Sequence, residues 1–412
     1  MRGSWLRALA GATALALAGA AARPPASHRF GTIALDVTRM PYIAGSSIPI
    51  GLRSSSDSYA LSVIGPGSIA AHDYLAPAAA MPFEATIVAT SASAVGMAAL
   101  RIVPPPEAAA PLIAVATYDD GIVLHDPRTF AVVGVVPTHG APGGVAFERD
   151  GTIDAPITTG DSLVSIARAP WRIRRVAGVA FGNEVLEDPA LHAVFVSDRD
   201  AGGGYGALTR IAGRKIRTTR TGMTAEGLAL DPQRQIVYVG NVNDASVAAV
   251  DARTMRILRR YRSVPRTFGL ALDTAAQRLF VASNTSPSMR DGGGYVAAID
   301  VGSPQGRIVA RSARMTLPLG VAFDPGTHSV FVTDEGANLV YVLDARTLRA
   351  THAPLRTCST PWLPHFDARS NRLYVPCARA NEVDVFNAAT LTRVRGAPFR
   401  TGGFPLDVAV GN

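Results

Sequence analysis

The chain has 412 residues, 48% apolar and 17% charged, with 39 glycines and 29 prolines. That excludes global disorder, and at roughly 100–200 residues per domain it allows two or three domains, or one repeat array with a smaller piece. The formal charge of +8 is almost wholly arginine, Lys215 being the one lysine, which reads as a compositional bias rather than a nucleic-acid surface.

Arg2 and Arg7 open the chain, the apolar run ALAGATALALAGAAA follows, and small residues stand at Ala20 to Ala22. This pattern predicts a removable secretory signal over residues 1–22. The run is short for a membrane span of roughly 20 residues. No cysteine lies near the cut to carry a lipid, and no later segment is long and apolar enough to cross a membrane. The mature protein is expected outside the cytoplasm, periplasmic or extracellular.

Residues 23–103 run as TIALDVT, SSIPIGL, YALSVIGPGSI, ATIVATS and MAALRIV, short alternating segments broken by Gly, Pro and Ser. They predict a small antiparallel β-sandwich. The run VIGPGSI…YLAP…ATIVATSASA resembles bacterial Ig-like domains, without their Cys/Trp core signature. Residues 104–110, PPPEAAA, predict a short stiff linker.

From residue 111 onward the chain repeats. GLALDPQRQIVYVGN, GLALDTAAQRLFVAS and GVAFDPGTHSVFVTD start at Gly227, Gly269 and Gly320. Each is an apolar run, a turn at Asp and a second β-rich run. A third run follows (SVAAVD, YVAAID, LVYVLD, EVDVFN), then an arginine-rich fourth. Four short strands per 40–45 residues predict β-propeller blades, labelled A to D from the channel outward. Complete blades begin near residues 142, 182, 225, 267, 318 and 361. Residues 112–136 supply strands B to D of one more blade, and FPLDVAV at the C-terminus supplies its strand A. The expected fold is therefore all-β: a seven-bladed β-propeller over 111–412, closed by the C-terminal strand and preceded by a small Ig-like sandwich.

VYVGN, VFVTD and LYVPC at these offsets resemble the YVTN-type propeller repeat, a relative of the lactonase-type and NHL-type propellers. The resemblance implies the fold and little about activity, since such repeats occur in binding proteins, lactonases, lyases and redox subunits.

Blade geometry puts the B–C and D–A loops on one face. Asn183, Glu226, Phe268 and Trp362 stand in one column of strand A entrances on that face, and Glu184 and Asp407 stand in the next column, where other blades have glycine. Strand B ends add Asp198, Asn241, Asn284 and Asp334. Glu184, Glu226 and Asp407 are candidate ligands for Ca²⁺ or another divalent cation, which takes carboxylate and amide oxygens. Lactonase-like and lyase-like propellers carry functional metals in about this place, and the resemblance implies the same here. The other reading is a wet channel with solvated carboxylates and no required cofactor. The glycine runs DAGGGYG and RDGGGYV predict flexible B–C loops, because no helix follows to make a phosphate site. Tyr205 and Tyr295 follow those glycines.

His192 and His328 occupy equivalent turns and read as repeat features. His139 precedes a blade on the candidate face, and His365 falls on a strand A where other blades have Ala. No G-x-S-x-G, H-E-x-x-H or Walker loop is present, so no catalytic residue is named. Cys358 and Cys377, an even count in an exported chain, suggest a disulfide; two free thiols are the alternative. Arginines on strand D guard outer edges against sheet pairing. Alternatively they form a basic rim for an acidic partner. The functional expectation is a monomeric binding or scaffold protein for a protein, glycan or small-molecule ligand, not nucleic acid. A lactonase-type hydrolase or lyase with a metal at the channel mouth is the alternative.

Overall fold

The computed structural model describes residues 33–54, 58–289 and 292–411. The expected signal, residues 1–22, lies outside them. The described chain is all-β, with one 3₁₀ turn at Ala378–Ala380, and no helix in it is long and apolar enough to cross a membrane. Six separate four-stranded antiparallel sheets follow one another in chain order, as in a β-propeller. Their first strands are Ala146–Phe147 (sheet 2), Gly182–Asp188 (sheet 3), Ala225–Asp231 (sheet 4), Thr267–Asp273 (sheet 5), Pro318–Asp324 (sheet 6) and His365–Asp367 (sheet 7).

The remaining large sheet, sheet 1, has eight strands. The C-terminal strand Pro405–Gly411 pairs antiparallel with Leu112–Thr117, which pairs with Gly121–His125 and then Val132–Val136. At that outer strand the sheet continues. Tyr42–Ile43 pairs in parallel with it, and Val95–Val103, Phe83–Thr90 and Ala60–Ile64 follow. The N-terminal strands thus extend the first propeller sheet. Residues 104–110 are pinned rather than free: the Arg168 guanidinium donates to the Glu107 and Ala110 carbonyls at 2.7 and 2.6 Å. Asp73 of the N-terminal part accepts from Ser47 Oγ and His139 Nε2, both at 2.7 Å. Burial alone would raise the Asp73 carboxyl, but these two contacts outweigh it and hold it below its ordinary range. His139 is a tie between the two parts.

The strand order explains the sequence pattern. Strands B and C lie between neighbours on both faces, so VFVSD and VYVGN read as continuous apolar runs. Strand B of sheets 3 to 7 buries an aromatic at one position: Phe195, Tyr238, Phe280, Phe331 and Tyr374 are all 0–1% exposed. Fully burying such a side chain contributes roughly 1.5–3 kcal/mol. Strand D alternates half-buried and exposed, which gives WRIRRVA its arginines. The Asp that ends strand A accepts backbone N–H groups of its own turn, as Asp231 does from Gln233 and Arg234. The residue just before strand B takes a left-handed backbone in five sheets, His192, Gln235, Gln277, His328 and Asn371. His192 and His328 therefore belong to the turn.

Cys358 and Cys377 form a disulfide with their Cα atoms 5.7 Å apart. It ties the loop after sheet 6 to the end of the second strand of sheet 7. With the cysteines 19 positions apart in sequence, the bond constrains the unfolded chain by about 3 kcal/mol. Cys358→Ser/Cys377→Ser is expected to lower the urea midpoint accordingly, and a midpoint equal to wild type would contradict this.

Candidate functional site

The first strands of the sheets converge on a central channel, and their closeness explains a glycine column. A Cβ on Gly227 would lie 2.1 Å from the Phe268 carbonyl, and one on Gly269 would lie 2.5 Å from the Leu319 carbonyl. Glu184 and Asp407 stand where other sheets have this glycine. Each reaches across to the neighbouring first strand: Leu228 N–H donates to Glu184 Oε2 at 2.8 Å, and Val145 N–H to Asp407 Oδ2 at 2.9 Å. Val408 N–H donates to the other Asp407 oxygen at 2.8 Å. The two carboxylates are staples between adjacent sheets that also face the channel.

Glu226 is 1% exposed and sits differently. Arg199 Nε lies 2.7 Å from its Oε1, and Asn183 Nδ2 donates to its Oε2. Burial pushes the Glu226 carboxyl up to about 7, although Arg199 and Arg266 pull the other way. Burial likewise pushes Asp407 up to about 7 against two backbone amides that lower it. Glu184 is raised well above its ordinary value by burial, with the Asp407 and Glu226 charges adding to it.

These contacts occupy the oxygens that a cation at this mouth would need. Among the described residues, no group of three or more His, Cys, Asp or Glu side chains is placed to hold a metal ion. The donor set does not fit a hard dication: Glu226 is neutralised by Arg199, and both Asp407 oxygens already accept amides.

The other candidates divide into two groups. Asn241 and Asp334 are 0% exposed and committed within their loops. Asn241 accepts from Thr221 Oγ1 at 3.0 Å and donates to Ser246 Oγ at 3.1 Å. Asp334 accepts from the Thr316 and Leu317 amides, both at 2.8 Å, fastening the D–A loop to the B–C turn. Trp362 and Phe268 are half-buried, and Trp362 lies against Phe404 with ring centres 6.3 Å apart. Tyr205 is 50% exposed beneath Arg220, and half-buried Tyr295 lies under Arg314 and Arg311. The DAGGGYG loop closes on itself. Gly202, Gly203 and Gly204 all have left-handed φ, and Asp200 Oδ1 accepts the Gly202 and Gly204 amides. Those amides face a carboxylate rather than an open anion cradle.

Several residues of interest were not legible as such. A cavity of about 390 Å³ in the channel is lined by Glu184, Asp407, His365 and Glu187, with apolar residues from six sheets. His365 faces this space, and burial holds its imidazole below the ordinary value despite Asp367. Burial, with Glu148 and Asp150 nearby, raises Glu187. On the loop face, Tyr118, Phe181, Tyr205, Met223 and Met289 are 42–50% exposed. Only Tyr205 carried a signal, its place after a glycine run. The others sit in short turns or, as Met223 does, at a strand end, without periodicity.

No family model matches the chain. It is 28% identical over 204 residues to the protein YncE of Salmonella typhimurium, described as uncharacterized, and equally so to YncE of Salmonella typhi. The match covers 47% of this chain and 53% of the relative, so the chain spans about half the length of the curated relatives it matches. Among solved structures, a 6-phosphogluconolactonase-like protein of Bacteroides fragilis is similar with a TM-score of 0.58 at 12% identity, over 75% of this chain and all of that one. Kuenenia stuttgartiensis hydrazine synthase gives 0.55 at 16%, over 66% and 89%. Virginiamycin B lyase of Staphylococcus aureus gives 0.50 at 12%, over 64% and 89%. At these identities the likeness is one of fold, the β-propeller.

Proposed function

We propose that the chain is an exported seven-bladed β-propeller whose first blade is extended by an Ig-like module, and that it acts as a binding or scaffold protein through its B–C/D–A loop face. One observation carries this reading. Among the described residues beyond position 111, eight large apolar side chains are exposed, and five of them, Tyr118, Phe181, Tyr205, Met223 and Met289, lie on that face. Aromatic and methionine side chains held out on rigid turns are what recognition surfaces use. The disulfide and the lack of a long apolar helix among the described residues agree with export. A photoreactive residue in place of Phe181 or Tyr205 is expected to give discrete cross-linked adducts in native cells. The same residue at Leu258 or Val309, on outer strands, is expected to give none, and equal labelling from both surfaces would overturn the proposal.

A second reading rests on the channel cavity. His365, Glu184 and Asp407 line one space, and burial shifts all three toward neutral forms. Such groups suit general acid–base chemistry, as in a lactonase-type hydrolase or a lyase. Lactone hydrolysis abolished by His365→Ala would move the conclusion to that reading.

A further inference from the structure

On the face opposite the loop surface, the third and fourth sheets enclose a basic recess. We propose that it binds an oxyanion, a phosphate or sulfate group. Arg210, Ala212, Lys215, Arg217 and Arg253 line a cavity of about 460 Å³, and no acidic residue is among them. Arg210 and Arg217 are directly opposite in the ladder between Tyr205–Ala212 and Lys215–Met223, as are Ala212 and Lys215. Partners in register project from the same side of the sheet. Three cationic side chains therefore share one side, and Arg253 joins them from the turn after Ser246–Asp251.

Like charges directly opposite in a ladder destabilise it. Among the described residues no salt bridge offsets this pair, and none of the four cations is in one. Asp251, two residues from Arg253, is committed to its own turn: its Oδ1 accepts from the Arg253 and Thr254 amides and from Thr254 Oγ1. Arg210 Nη1 reaches the Arg253 carbonyl at 3.3 Å, while its buried Nε has no hydrogen-bond partner. A buried guanidinium N–H left unmade is costly, and an oxyanion satisfies it together with the neighbouring charges. The planar fork of arginine matches phosphate and sulfate oxygens in pairs. The oxyanion can belong to a small ion or to a chain such as a sulfated glycan. The outer strands on either side carry Arg174 and Arg260, which would lie along such a chain.

The test is calorimetric titration of the whole protein with inorganic pyrophosphate and, separately, with dextran sulfate near physiological salt. Wild type is expected to bind at least one of them, and Arg217→Ser to weaken it by about tenfold or more. Arg174→Ser and Arg260→Ser are expected to stay within about twofold for pyrophosphate. Pyrophosphate binding identifies a free oxyanion as sufficient; binding of the polymer alone identifies a chain-borne group. Arg217→Ser is also expected to melt no lower than wild type without anion, since it relieves the Arg210 repulsion, and to lose the melting rise that the anion gives wild type. Failure of wild type to bind either probe would overturn the proposal, as would equal loss in all three variants, which would mark a diffuse field.

Discussion

Deletion of residues 404–412 is expected to leave no cooperatively folded protein. The strand Pro405–Gly411 pairs along its length with Leu112–Thr117, a strand buried at every position. It buries Leu406, Val408 and Ala409, and its Leu406 carbonyl accepts the Leu363 amide of sheet 7. On the other side Asp407 holds the Val145 amide of sheet 2. The strand is thus the link between the first and last parts of the chain. Losing its apolar side chains alone removes roughly 5 kcal/mol, the same order as the ~5–15 kcal/mol that holds a typical fold. The freed edge of Leu112–Thr117 would also template association. Thermal melting and size-exclusion chromatography check this; a truncated chain that melts as wild type and stays monomeric would refute the closure.

The second large effect is the pH response of the channel carboxyls. Glu226 is held up to about 7 by burial, against an ordinary 4.5. The folded chain therefore keeps a proton that the unfolded chain releases between those values. The stability this contributes is fully present below about pH 4.5 and is lost as pH rises through about 7. At roughly 1.4 kcal/mol per pH unit the loss is about 3 kcal/mol. Asp407, also held up to about 7, acts in the same direction. Buried His125, held down to about 4, acts oppositely and adds stability as pH rises from about 4 to 6.5. The wild-type curve mixes these effects, and the difference between wild type and a variant separates them. Glu226→Gln is expected to gain about 3 kcal/mol on wild type between pH 4.5 and 8 in urea unfolding, and adding Asp407→Asn to gain more. A difference that stays flat with pH would show that folding leaves the Glu226 pKa at its ordinary value.

The repeat was legible because it is local. GLALDPQRQIVYVGN carries its two strands and their turn within fifteen residues, and the fourth-strand arginines mark the exposed edge. Even the closing strand could be read, since FPLDVAV matches the first strand that residues 112–136 lack. The N-terminal join could not. It rests on Tyr42–Ile43, two residues that carry no period yet pair with strands on both sides. The channel residues were located only to a face. Glu184 and Asp407 fall in the glycine column of the repeat and Glu226 one position before it, but which partner each meets depends on the neighbouring sheet, 43 or more residues away in the chain. There Arg199 takes Glu226 and backbone amides take the other two, contacts that the spacing of the three carboxylates does not reveal. His365, on a strand A where other blades have Ala, faces the cavity for the same reason.

The sequence by itself determined the all-β repeat, its strand order and turns, and the oxidation-competent cysteine pair, because each follows from patterns a few residues long. Tertiary structure decided how the N-terminal strands join the first sheet, what the channel carboxyls hold, and that four cations meet between the third and fourth sheets. Those depend on how adjacent sheets are set against one another, which no short pattern encodes.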